Sequence, residues 1–280
     1  MIMVRAVRKR SSKKIVINAS KKRGKGSVKS VNGNSNGSKK RAKKNAKFGP
    51  VPTIACINKA TVDLGVDFDA LIAALQKYVD EHFAPVWGTP AKLVQATKAI
   101  PKAWTMIFLD DPDRAESLGY HELTKRGLPV TKVFVARTLS FGEQVSVVAS
   151  HELAEMLVDP GVNLWVAADD KTLHAYEVCD ACEEERFEID GIAMSDFVYP
   201  AFFEAFRKPR STQFNHLNTI HAPFHIPPGG YSAIRKGDKR TKLFGSKQKE
   251  MRFIQEDRRM HRSEYRDALF ARSRRTGPAA

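Results

Sequence analysis

His151, Glu152 and Glu155 stand in the order His-Glu-x-x-Glu inside the stretch S-V-V-A-S-H-E-L-A-E-M-L-V-D-P, residues 146 to 160. On a helix that turns roughly 100° per residue, His151 and Glu155 are about 40° apart, Glu152 is about 100° from His151, and Asp159 returns to about 80°. Imidazole nitrogens and carboxylate oxygens are zinc ligands, so one helix face would carry four metal-competent groups. A surface histidine beside two solvated glutamates is the other reading of the same residues. Ala149, Leu153, Met156 and Leu157 fall at helical spacing and predict the buried face. Pro160 stops the helix after Asp159. Asp159 itself either orients His151 from behind or is only the last residue before the proline.

Further ligands follow in Tyr176-Glu177-Val178-Cys179-Asp180-Ala181-Cys182-Glu183, where carboxylates and thiols alternate. Cys179 and Cys182 form C-x-x-C, which suits half of a zinc knuckle, a redox pair or a pair of buried structural thiols. No second C-x-x-C exists, so a four-cysteine site within one chain is excluded. With Cys56 the cysteines number three, an odd count that argues against a secreted disulfide framework. His121, in a stretch flanked by Gly119 and Gly127, either reaches a cleft or is solvated. The histidine favours Zn²⁺, while a site built mostly of carboxylates would also suit Ca²⁺. Trp87, Trp104 and Trp165 read as core or rim packing.

The elements that must position these groups lie on both sides of the motif. Val51–Ile57 predicts a strand, and Val66–Phe83, with Phe68, Leu71, Ile72, Leu75 and Val79 at helical spacing and Asp67 or Asp69 as cap, predicts a helix that ends before Pro85. Strands are expected over 103–109 and 131–139, and residues 119–129 read as a loop. Short strands follow near 164–166 and 173–178. Asp190-Gly191 joins 186–189 to 192–194 as a hairpin. An aromatic-rich helix is expected over 197–206, and 222–226 reads as an extended strap.

Charge divides the chain. Of its 47 basic and 31 acidic residues, residues 1–50 hold 17 basic and no acidic ones, and residues 208–280 hold 17 and 6, which leaves 13 and 25 between them. An acidic middle is thus flanked by two basic arms. The organisation expected is a basic disordered arm over 1–48, a metal-binding domain over 49–231, and a basic tail over 232–280 containing an amphipathic helix within 247–275. Lys21, Lys22, Arg23, Lys39, Lys40, Arg41, Lys43 and Lys44 are the candidate nucleic-acid contacts: they would neutralise backbone phosphate, with almost no aromatic residue nearby for base stacking. An acidic protein surface, in a solubilising or assembly role, is the competing partner. The sequence has no secretory h-region and no apolar run long enough to span a membrane, so the expected setting is intracellular or a virion.

The helix motif resembles the His-Glu-x-x-His of zinc peptidases, in which two histidines one helical turn apart bind the metal and the glutamate between them is the general base. Here Glu155 takes the place of the second histidine, and its charge makes a metal-bound water less acidic. Glu177 falls at the interval of the third ligand in thermolysin-like peptidases. The order strand, helix, strands, metal-type helix and hairpin is similar to the zincin-like fold, which implies an α+β domain with a twisted mixed sheet and a backing helix. S-H-E-L-A-E-M-L-V-D-P, then Trp165, E-V-C-D-A-C-E, the hairpin and S-D-F-V-Y-P, with D-E-H-F-A-P-V-W-G and G-Y-H-E-L-T upstream, resembles an uncharacterised family of bacterial and phage proteins with a metallopeptidase-like centre, over residues 51 to 231. More distantly, H-E-x-x-E followed by Asp-Pro, a Trp and E-x-x-D-x-C is similar to the plant EXORDIUM, or phosphate-induced, proteins, with Glu177, Asp180 and Cys182 matched. The resemblance implies His151 and Glu155 as metal ligands, Glu177 or Asp180 as the third, Glu152 as base, and Asp159 and Cys182 as supports behind them. Two classes follow: a metal-dependent peptidase or other hydrolase with nucleic-acid-binding arms, and a structural component of a phage or other particle whose metal is a clamp.

Overall fold

The computed structural model describes residues 51–113 and 117–255. The arm expected over 1–48, with Lys21, Lys22, Arg23, Lys39, Lys40, Arg41, Lys43 and Lys44, lies outside the described residues, as does the tail beyond 255.

Strand β1 (Thr53–Asn58) buries Ile54, Ala55, Cys56 and Ile57 in succession, the pattern of a strand covered on both faces. Helix α1 (Phe68–Lys77) starts where the Asp67 carboxylate accepts the Ala70 N–H, satisfying one of the free donors of a helix start. It does not stop before Pro85. A π-helical turn (Tyr78–Phe83) leads into α2 (Ala84–Trp87), where Pro85 sits in the first turn and needs no N–H partner, and Gly88 at φ 69 ends the run.

Strand β1 is flanked by two parallel partners, β2 (Lys92–Gln95) on one side and β3 (Trp104–Leu109) on the other. Next come β4 (Gly119–Leu123) and β5 (Pro129–Phe134), giving the order β2-β1-β3-β5-β4, with β4 the antiparallel edge. Residues 119–123 were expected in a loop. Their sequence, Gly-Tyr-His-Glu-Leu, lacks an apolar run; pairing with Pro129–Val133 makes the strand, and context rather than propensity decides it. The strand expected over 131–139 ends at Phe134 and turns into α3 (Val135–Ser140), with the Ala136 N–H on the Asp110 carbonyl.

The motif helix, α4 (Val145–Val158), packs against β4 and β5, and every residue of it except His151 and Val158 is buried. Ala149, Leu153, Met156 and Leu157 are buried as their spacing predicts, but so are Ser146, Ser150, Glu152 and Glu155. No face of α4 is left to solvent. The Ser150 hydroxyl donates to the carbonyls of Ser146 and Val147 and accepts the Ser195 N–H at 2.8 Å, tying the helix to a later strand.

After α4 come β6 (Trp165–Ala167), β7 (Thr172–Ala175) and the hairpin of β8 (Arg186–Ile189) and β9 (Ile192–Ser195), whose turn residues Asp190 and Gly191 both have positive φ. The helix expected over 197–206 shrinks to a 3-10 turn, Pro200–Phe203, because Phe197, Phe202 and Phe203 are each drawn into the core.

The boundary expected at residue 231 falls on the first residue of β10 (Tyr231–Lys236), which with β11 (Lys239–Phe244) completes a second sheet in the order β11-β10-β7-β6. Helix α5 (Lys247–Gln255) follows and buries Lys249 and Phe253. Basic residues obscured this segment: Ala233 and Ile234 are buried, and Ile234 pairs with His174. The chain is therefore α+β, with the second sheet built partly from its presumed tail. Among the described residues no helix is long and apolar enough to cross a membrane.

Candidate metal centre

Three segments meet over the middle of α4. Helix α4 supplies His151, Glu152 and Glu155; edge strand β4 supplies His121; the chain leaving β7 supplies Glu177, and the 3-10 turn Asp180–Cys182 supplies Asp180. All six line one cleft of about 140 Å³, which Tyr231 of β10 and Lys249 of α5 also border.

Two glycines permit the convergence. A β-carbon on Gly119 would lie 2.9 Å from both Cγ of Glu152 and Cγ1 of Val148 and 3.0 Å from the Lys132 carbonyl, so only glycine lets β4 come this close to α4. On the other side, a β-carbon on Gly230 would run into the carbonyl of Ala181. The backbone before β10 therefore lies directly on the turn that carries Asp180, and the Tyr231 hydroxyl donates to the Asp180 carboxylate.

Apart from one long hydrogen bond between His121 and Glu152, the groups face one another at distances beyond ordinary hydrogen bonding. His151 Nε2 is 3.3 Å from Glu155 Oε1 and 3.6 Å from Asp180 Oδ1. His121 Nδ1 is 3.3 Å from Glu152 Oε2 and 3.8 Å from Glu155 Oε2, and its Nε2 is 3.8 Å from Glu177 Oε2. Two ligands on one tetrahedral zinc, each about 2.1 Å from it, sit about 3.4 Å apart. Two triplets of ligand atoms, His121/Glu155/Glu177 and His151/Glu155/Asp180, each lie within 4.8 Å of one another. His121 Nε2 has no hydrogen-bond partner although its side chain is only 5% exposed. A buried ring nitrogen aimed at a carboxylate beyond hydrogen-bond reach fits a cation between them.

The electrostatics agree. Burial alone would hold the His121 imidazolium down, but the hydrogen bond to Glu152 and the charges of Glu177, Glu152 and Glu155 together outweigh it and lift the group from 6.5 to about 9. His151 rises well above its ordinary value: burial again opposes the charge, and Glu155 and Asp180 overcome it. Burial pushes the Glu155 carboxyl from 4.5 up to about 8, against the pull of His151 and with the push of Asp180 and Glu177. Protons thus do here what a metal would do, and metal binding would release them.

His151, Glu155, Glu177 and Asp180 are brought together as candidate ligands, and Glu152 lies beside His121. Asp159 is not behind His151. Eight residues further along α4, about 12 Å at the helical rise, its carboxylate accepts the N–H groups of Asn163 (3.0 Å) and Leu164 (2.8 Å) and fixes the loop after the helix. Cys182 donates to Asp196, whose carboxyl burial lifts to about 6, and not to a ligand. Cys179 and Cys182 are free, and burial holds both thiols well above their ordinary range, which suits inert packing. The Cys179 backbone does contribute: its N–H donates to Glu155 Oε1 at 3.3 Å.

Sequence reasoning left His121 open between a cleft and solvent and did not single out Tyr231 or Lys249. Gly119 two residues before His121 was the available signal, since a glycine at a strand edge marks a close backbone approach. Lys249, 5% exposed, bonds Glu183 Oε2 at 2.6 Å and Glu184 Oε1 at 3.1 Å and fastens α5 beside the cleft.

No family model, no curated protein and no solved structure matches this chain.

Proposed function

We propose that the cleft is a divalent metal site and that this chain is a metal-binding, metallopeptidase-like protein with a zincin-like core and nucleic-acid-binding basic arms. The observation that carries the reading is the unpartnered Nε2 of buried His121, 3.8 Å from Glu177 Oε2, on a ring whose Nδ1 faces Glu152 and Glu155. The zincin-like assignment rests on a mixed sheet whose antiparallel edge strand lies against the motif helix. Two imidazoles among the donors favour Zn²⁺ over Ca²⁺, which prefers oxygen alone.

Zinc, when bound, supplies a Lewis acid and lowers the pKa of water bound to it. His151, Glu155 and Asp180 would hold it, with Glu177 and His121 on the opposite side of Glu155. Glu152 would serve as the base, its Oε2 lying 3.3 Å from His121 Nδ1, which would orient the carboxylate.

A structural role is the second reading, favoured by a specific arrangement: an ion held by His151, Glu155 and Asp180 would tie α4 to the 180–182 turn, and one held by His121, Glu155 and Glu177 would tie the edge strand to α4 and to the chain leaving β7. In that case the basic arms hold packaged nucleic acid or an acidic protein surface within a particle. Metal analysis of the purified chain alongside His151→Ala tests the shared premise. Zinc bound by the wild type and diminished in the variant supports it, and metal-free protein after zinc loading overturns it.

A further inference from the structure

We propose that Glu155 bridges two divalent cations, one held with His121 and Glu177 and the other with His151 and Asp180. This rests on the metal reading above and adds the number of ions and the residue that joins them.

The two oxygens of the Glu155 carboxylate lie against different histidines. Oε1 lies 3.3 Å from His151 Nε2, and Oε2 lies 3.8 Å from His121 Nδ1. Each side then has the same composition: one imidazole, one further carboxylate and one oxygen of Glu155. Among the described residues both metal-competent triplets contain Glu155, and neither contains both histidines. A carboxylate whose two oxygens face two separate imidazoles, each with a further carboxylate beside it, has the shape of a bridging ligand, and bridged metal pairs stand about 3.5–4 Å apart.

Charge balance points the same way. Glu152, Glu155, Glu177 and Asp180 all line the cleft, and their side chains are at most 10% exposed. With neutral imidazoles, a single divalent ion balances two of the four, and of the cations that also line the cleft Lys249 is held by Glu183 and Glu184, Arg252 by Glu184 and Arg186 by Glu143. Two ions balance all four. The donor set of one nitrogen and two or more oxygens per ion suits zinc or manganese.

The test is metal stoichiometry of the full chain after loading with zinc or manganese and desalting, together with electron paramagnetic resonance of the manganese form. Two ions per chain with an exchange-coupled manganese spectrum are expected. His121→Ala and His151→Ala should each retain one ion, and Glu155→Gln should retain neither at the concentrations that saturate the wild type. The wild-type manganese spectrum needs no substitution, so it decides even where a variant fails to fold. One ion per chain overturns the bridge while leaving the metal site in place. Two ions without coupling, or one ion kept by Glu155→Gln, also overturn it. No ion in the wild type overturns this proposal and the metal reading together.

Discussion

Gly119 on the edge strand and Glu152 on the motif helix stand so close that a β-carbon at 119 would lie 2.9 Å from Glu152 Cγ. The contact sets how near β4 approaches α4, and with it the distance from His121 to Glu152 and Glu155.

Gly119→Ala should therefore damage stability and metal binding together. The Lys132 carbonyl, 3.0 Å from the added carbon, belongs to the paired strand and cannot swing away as a side chain can. Overpacking of this kind costs about 1–3 kcal/mol. Denaturant midpoints and zinc titration measure the two effects, and a variant matching the wild type in both would refute the close-approach argument.

Lys249 anchors α5 by its bonds to Glu183 and Glu184. Lys249→Met keeps the apolar stem but leaves Glu183 without that ammonium, so a loss of about 3 kcal/mol is expected, as for other buried pairs broken on one side. Adding Glu183→Gln should restore part of it. A double-mutant cycle with no coupling between the two positions would contradict the anchor.

The metal-free protein should lose stability as pH rises. His121 has a folded value of about 9 against 6.5, so its contribution is fully present below 6.5 and is lost as pH climbs through 9. At 1.36 kcal/mol per unit that is about 3 kcal/mol. Glu155, raised from 4.5 to about 8, adds a loss of the same sign that begins above 4.5. Chemical denaturation of chelator-treated protein between pH 6 and 9 should show the decline, and saturating zinc should flatten it, because the ion takes the place of the protons. Metal-free stability that rises over this window would show that the histidines are not held charged by the carboxylates.

Glu152→Gln separates the two functional readings. The amide keeps the side chain's shape beside His121 but cannot accept a proton as a base. The variant should keep its metal and, if the cleft turns over a substrate, lose about 10²–10⁴-fold in rate. A peptide-library screen with metal analysis reads both quantities. Equal hydrolysis by the two forms would remove Glu152 from the chemistry, and no hydrolysis by either would favour the structural role.

The basic arm makes a prediction independent of the cleft. Its 17 basic residues without an acid should bind DNA or RNA with little sequence preference, and log affinity should fall linearly with log salt. Deleting residues 1–47 should reduce that slope in fluorescence anisotropy titrations. An unchanged slope would move the interaction elsewhere, and salt-insensitive binding would contradict phosphate neutralisation.

By itself the sequence determined what depends on neighbours within a few residues. The α4 helix follows from the spacing of Ala149, Leu153, Met156 and Leu157 with Pro160 beyond them, the Asp67 cap follows from its place before an apolar helical pattern, and the 190–191 turn follows from two residues that tolerate positive φ. His151 and Glu155 were legible as one pair because helix spacing puts them on one face, and Glu177 or Asp180 as a third ligand because the interval resembles that of zinc peptidases. Tertiary structure alone decided the rest. His121 joins the site because edge pairing with β5 and the missing side chain at Gly119 carry a polar strand onto α4, and no local pattern encodes a contact between distant segments. Asp159, one helical stretch too far along, caps a loop instead. Tyr231 and Lys249 lay hidden in a basic stretch whose charge suggested a tail, yet burying Ala233, Ile234 and Phe253 draws that stretch into the second sheet and against the cleft.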